Sequence, residues 1–213
     1  MNYMYFVEER LRLALYVFDL GTPPFEEIKR KIEASEHPYE YRGWDDAVED
    51  AYQEAFEDAG AAVQVIAMAC LGLVQTALHV FLKEFVETSF GPQALAGVSQ
   101  NGERGWLLQF KKFFAAKPEY DWANSGADFG LIEQTILTRN DFQHSVNLVS
   151  RYPYQDSKHK AKYADSAFLD PAFDGAGMTE HPLIVTRETL ESSISAVRTL
   201  CEYLVSAGRR PRP

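Results

Sequence analysis

The chain has 213 residues, 46% of them hydrophobic and 24% charged, which suits one well-cored domain and excludes collagen-like and low-complexity readings. Its formal net charge of −10 excludes a surface that tracks nucleic acid over its whole extent, while leaving room for a small basic site. Two cysteines, Cys70 and Cys201, have neither metal-ligand spacing nor a disulfide framework, so a reducing, cytoplasmic setting is expected.

The first ten residues lack a basic stretch followed by an apolar one, so no secretory signal is expected. Tyr3–Phe18 reads as a helix ended by the Gly21-Thr-Pro-Pro24 breaker. Phe25–Ser35 reads as a short helix that stops before Pro38. Asp45 or Asp46 can cap a helix running through Asp58, its first turn rich in acid as the macrodipole favours. Gly60 then breaks or bends the chain before a long apolar helix over about 61–88, which Gly91-Pro92 terminates. Ala59–Leu82 holds no Asp, Glu, Lys or Arg and is long enough to cross a bilayer. It also carries Gln64, Gln75, Thr76 and His79, costly in lipid, and the central helix of a soluble bundle explains it better than a membrane span.

Glu103–Ala116 reads as a helix with Trp106, Leu107, Phe110, Phe113 and Phe114 at helical spacing, followed by a loop over 117–127. Asp128–Arg151 carries an apolar stripe from Phe129 through Ile132 and Ile136 to Val149, and Pro153 ends it. Residues 152–180 read as an irregular excursion. Thr186 can cap a last helix whose buried face holds Leu190, Ile194, Val197, Leu200, Cys201 and Leu204, with Gly208 as its stop. Only His181–Val185 could be a strand, and it is short, so the fold class is all-α, an up-and-down helical bundle.

No metal site is expected, because no two of the five histidines are three to five residues apart. Phosphate-binding glycine loops and the serine-hydrolase elbow are missing, so no cofactor is expected. What carries chemistry is Arg139-Asn140-Asp141-Phe142-Gln143-His144. Asn140 and His144 share a helix face one turn apart, and the long side chain of Arg139 can sweep back toward them. An arginine can clamp a phosphate and stabilise charge developing on it. A histidine titrating near neutrality can take a proton from an attacking hydroxyl or give one to a leaving oxygen, and the amide can orient either. The spacing alone is weakly specific, with roughly 0.3 chance occurrences for twelve Arg and five His in a chain this long. Arg30 and His37 form a decoy, dropped because Pro38 ends the helix there.

The Arg-Asn-x3-His form, in a late helix of an all-α bundle of this size, resembles the HEPN superfamily (higher eukaryotes and prokaryotes nucleotide-binding domains). Residues 131–144 look like its motif helix, and Ala61–Val86 looks like its apolar partner helix. The chain reads as a single domain of residues 1–213, of which the likeness covers 45–206, and the segment 152–180 departs from a minimal bundle of that family. Of the chain, 1–44 are an N-terminal helical extension, 45–206 a HEPN-like bundle with a long irregular insertion before the last helix, and 207–213 a flexible tail. The likeness implies a homodimer with two motifs facing one cleft, and metal-independent endoribonuclease activity using the 2′-hydroxyl as nucleophile. Arg139 and His144 would be catalytic and Asn140 would support them. A toxin or defence effector, with a neutralising or regulatory protein partner, is the setting it suggests. In one branch a tyrosine two places after the histidine is a modification target; Val146 stands here, so that partnership is not inferred.

Between Arg139 and Tyr163 the basic residues are Arg139, Arg151, Lys158, Lys160 and Lys162, against Asp141 and Asp156. Arg151, Lys158, Lys160, Lys162 and Tyr152 are the candidate RNA-binding set, since single strands stack on aromatics and meet cations at their phosphates. Against this stand plainer readings: a solvated lysine loop, a structural His144, and Arg139 paired at the surface with Asp141. His79, in line with Gln75 and Lys83, reads as a satisfied core histidine. A rival function is a non-catalytic helical module that binds a nucleotide, RNA or partner protein. Residues 1–60 favour it, with six basic side chains against fifteen acidic.

Overall fold

The computed structural model describes residues 3–40, 46–96, 98, 105–144, 154–172 and 182–208, with backbone alone for 46–51 and for His144. Asp45 and the side chain of Asp46, the two expected cap residues, lie outside them, as do the candidates Arg151 and Tyr152, His181, and most of the C-terminal tail. Among the described residues seven α-helices run in chain order as α1 Tyr3–Gly21, α2 Pro23–Glu33, α3 Asp46–Phe90, α4 Trp106–Ala115, α5 Phe129–His144, α6 Ser157–Lys162 and α7 Arg187–Gly208. Short 3-10 turns at Pro118–Tyr120 and Trp122–Asn124 join α4 to α5. Among the described residues there is no sheet; Tyr154 with Pro182 and Leu169 with Leu183 form two isolated bridges. The expected His181–Val185 strand is thus reduced to bridge residues at Pro182 and Leu183.

The hub is α3, against which α1, α2, α4, α5 and α7 all pack. It is one helix of 45 residues, about 67 Å long at 1.5 Å per residue, where the sequence suggested two. Gly60 neither breaks nor bends it out of the helix. Its cost of about 1 kcal/mol is offset because this stretch is packed: Lys29 of α2 lies 5.3 Å from the Phe56 ring, and Gly60 is itself buried. Tyr52–Phe90 is long and apolar enough to cross a membrane by length and composition, and half of its most apolar window is buried inside the fold. Within the bundle it serves as the central helix.

The core interleaves Leu11, Ala14 and Phe18 of α1 with Leu71, Leu78 and Leu82 of α3 and with Leu190, Leu200 and Leu204 of α7. Burial of each leucine or phenylalanine among them contributes about 1.5–3 kcal/mol. An aromatic chain then fixes the path from α4 to α5. Phe114 meets Trp122 at 5.6 Å between ring centroids, and Trp122 meets Phe129, the first residue of α5, at 5.0 Å. Asp128 caps α5 by accepting the Leu131 amide at 2.8 Å. At α7 the Thr186 Oγ1 accepts the Thr189 amide at 3.2 Å, while Thr189 Oγ1 accepts the Thr186 amide at 2.9 Å, a reciprocal cap. Those two caps set where α5 and α7 begin. Thr135 Oγ1 then reaches Ser193 Oγ at 2.9 Å in the buried seam between them.

Candidate functional site

The second half of α5 holds the motif. Arg139 and Asn140 are both half-buried, and Arg139 Nη1 donates to Asn140 Oδ1 at 3.3 Å. Among the described residues no carboxylate pairs with Arg139, so the expectation that Asp141 takes it up in a surface ion pair does not hold. His144 is the last residue of α5, one turn beyond Asn140, and its side chain lies outside the described set.

Asp141 faces the other way. It is 7% exposed and sits under α6, where His159, 1% exposed, places Nδ1 at 2.8 Å from Asp141 Oδ2. A carboxylate accepts only, so the ring donates from Nδ1. The Asp156 amide donates to the same oxygen at 3.0 Å, and Asp156 in turn caps α6 by accepting the Lys158 amide at 2.8 Å. The opposite ring nitrogen of His159 and the Thr138 hydroxyl are buried with no partner among the described residues.

The segment 154–172 is fastened along α5 at more points than this one. Glu133 takes the Tyr163 hydroxyl at 2.7 Å and also pairs with Lys162. Gln134 Oε1 accepts the Ala167 amide at 2.9 Å and the Ser166 hydroxyl at 3.2 Å. Burial, followed by the Glu133 carboxylate, pushes the Tyr163 phenol well above its ordinary range, so it donates at all working pH. Residues 154–172 are therefore an ordered strap over the polar side of α5, secured by residues in its second and last turns. The candidate RNA-binding lysines Lys158, Lys160 and Lys162 are all exposed on α6, and Lys162 is engaged by Glu133.

One other sequence candidate is placed differently from expectation. His79 is exposed rather than in the core: its ring lies on Trp106 of α4, with centroids 4.6 Å apart. It joins Lys83 and Gln109 in a shallow groove between α3 and α4. Partial burial, then the nearby Lys83, lowers its pKa below the ordinary 6.5. The decoy Arg30 is held by Glu27 and Glu36 at 2.7 Å each, while His37 is well exposed. Sequence reasoning missed His159, whose partner is eighteen residues away with no periodicity joining them. The one local signal was Asp156-Ser-Lys-His159, a capped short helix. Among the described residues no three His, Cys, Asp or Glu side chains gather as a metal site would require.

No protein-family model matches this chain, no curated protein is similar to it, and no solved structure matches its fold.

Proposed function

We propose that the chain is an RNA-cleaving effector of the HEPN kind, acting without a metal through Arg139, Asn140 and His144. The observation that carries this reading is the state of Arg139. Its guanidinium is half-buried, steadied by Asn140 at 3.3 Å, and has no carboxylate partner among the described residues. Four of the other described arginines, Arg12, Arg30, Arg187 and Arg198, each meet a glutamate or aspartate, and Arg10 alone shares the state of Arg139 among the described residues. An arginine kept unpaired while its neighbour Asp141 is turned inward to His159 remains available to a phosphate.

In this reading Arg139 grips the scissile phosphate and Asn140 orients it. His144 takes the proton of the ribose 2′-hydroxyl as O2′ attacks phosphorus. The bond from phosphorus to the 5′-oxygen breaks, and that oxygen leaves with a proton returned by the imidazolium. The products are a 2′,3′-cyclic phosphate and a 5′-hydroxyl end. A second reading, a helical module that binds RNA or a protein without cutting, draws on the acidic first sixty residues and on Lys162 being engaged by Glu133.

One experiment separates them. Mixed single-stranded RNA is incubated in EDTA with the wild type, Arg139→Ala and His144→Ala, each checked for native helicity. Cleavage by the wild type with cyclic phosphate ends, reduced about 100-fold or more in both variants, is expected. RNA retention without cleavage assigns the module reading instead, and cleavage that Arg139→Ala leaves intact overturns the assignment of the chemistry to this motif.

A further inference from the structure

We propose that the groove between α1 and α3 holds the headgroup of a zwitterionic phospholipid, whose acyl chains lie along the outward side of α1. The groove encloses about 280 Å³ and is mainly apolar. Val7, Ala77 and Phe81, all buried, line it together with Tyr3 and Phe6. Tyr3 meets Phe81 edge-on with ring centroids 6.4 Å apart, so the groove offers aromatic surface as well as aliphatic.

Two charges line the same groove, Arg10 from α1 and Glu84 from α3, and both are exposed. They do not pair with each other, and neither meets an opposite charge among the described residues. The charges next to them in sequence are engaged elsewhere: Glu8 by Arg198, Glu9 by Arg12 and Lys83 by Glu87. A guanidinium and a carboxylate left apart in an apolar groove suit a ligand that brings one charge of each sign. A headgroup with a phosphate and an ammonium does so. Its phosphate accepts the forked donors of Arg10, and its ammonium meets the Glu84 carboxylate and the aromatic faces of Tyr3 and Phe6.

The acyl chains have a place too. Phe6, Leu13, Val17 and Leu20 are spaced seven, four and three along α1, which sets them in one row on the helix. The row begins at the groove with Phe6, and its members are 38–60% exposed. On α3, Val65 and Val80 are exposed as well, in a stretch from Ala59 to Leu82 that holds no Asp, Glu, Lys or Arg. Tyr5 and Tyr16, also exposed on α1, carry the apolar ring and polar tip that suit a membrane interface. A helix with such an apolar side lies in the plane of a bilayer rather than across it. The net charge of −10 sets the chain against an anionic lipid surface, which leaves the neutral, zwitterionic one. A soluble zwitterion would fill the groove and leave the Leu13 row uncovered. Nothing in this site draws on Arg139 or His144, so lipid binding and RNA cleavage stand or fall separately.

The test is flotation of the full chain with phosphatidylcholine vesicles, run beside phosphatidylglycerol vesicles and a calorimetric titration with soluble glycerophosphocholine. The wild type is expected to float with phosphatidylcholine. Arg10→Gln and Glu84→Gln are each expected to bind roughly tenfold more weakly, and Leu13→Glu to remain unbound, all with unchanged circular dichroism. Should Leu13→Glu fail to fold, Leu13→Ser makes the same comparison. A wild type that stays off phosphatidylcholine vesicles overturns the proposal. Undiminished flotation of Arg10→Gln or Glu84→Gln overturns it in favour of plain apolar adhesion, and tighter binding to phosphatidylglycerol overturns the zwitterionic preference. Glycerophosphocholine bound as tightly as the vesicles overturns the lipid in favour of a soluble zwitterion.

Discussion

Asp141 illustrates how one residue can be read correctly as chemistry and wrongly as placement. Its sequence neighbours are Asn140 and, two back, Arg139, and local reasoning pairs it with that arginine. The fold instead gives it to His159, where the carboxylate has a ring nitrogen at 2.8 Å and a backbone amide at 3.0 Å. Truncating His159 would empty a buried volume and take one partner from a buried carboxylate. His159→Ala is expected to cost about 3 kcal/mol in urea unfolding. Asp141→Asn keeps an acceptor oxygen for one of the two donors and is expected to cost about 1 kcal/mol. Equal, near-zero costs would show that the pair does not hold the strap to α5.

At the scale of elements, helix class and most boundaries were legible, because periodicity and caps are local. The α7 face predicted from Leu190 to Leu204 is buried as read, and its Thr186 cap forms. The failures share one cause, packing that comes from far along the chain. Thr135, Thr138 and Asp141 lie on what reads as the polar side of α5, yet all three are buried, because α7 meets that helix at Ser193 and the strap covers the rest. A helix covered from two sides has no single apolar stripe for periodicity to find. At Gly60 the contrary happened: local weakness was visible and tertiary support was not. Gly72 shows the same weakness without such support. A Cβ built there meets nothing within 4 Å, so Gly72→Ala should gain helix propensity at no steric cost. A stabilisation of about 0.5–1 kcal/mol is expected, read as a raised thermal midpoint at low protein concentration. A lowered midpoint would mean that this stretch of α3 needs the glycine for close approach.

For the whole molecule, the distribution of charge matters more than its total. The acids of α1 are cross-tied to α7 through Asp19–Arg187 and Glu8–Arg198, solvent-screened surface bridges that join the first and last long helices. Arg187 holds the Asp19 carboxyl below its ordinary 3.8, first by hydrogen bonding. That contribution is complete above the ordinary value and is lost only as pH falls through the lower folded one. His79 acts earlier in an acid titration. Its folded pKa lies below the ordinary 6.5, chiefly because its ring is covered by Trp106 and secondarily because Lys83 is near. The unfolded chain therefore takes up a proton near pH 6.5 that the folded chain still resists, and stability falls as pH drops through that value toward the folded one. Between pH 7.5 and 5.5 the urea midpoint of the wild type should fall more than that of His79→Gln, whose side chain carries no titrating group. Since His79 is largely exposed the difference will be small, and its sign is the informative part. Parallel midpoints in the two proteins would place the imidazole in open solvent, off the Trp106 ring and out of the groove between α3 and α4.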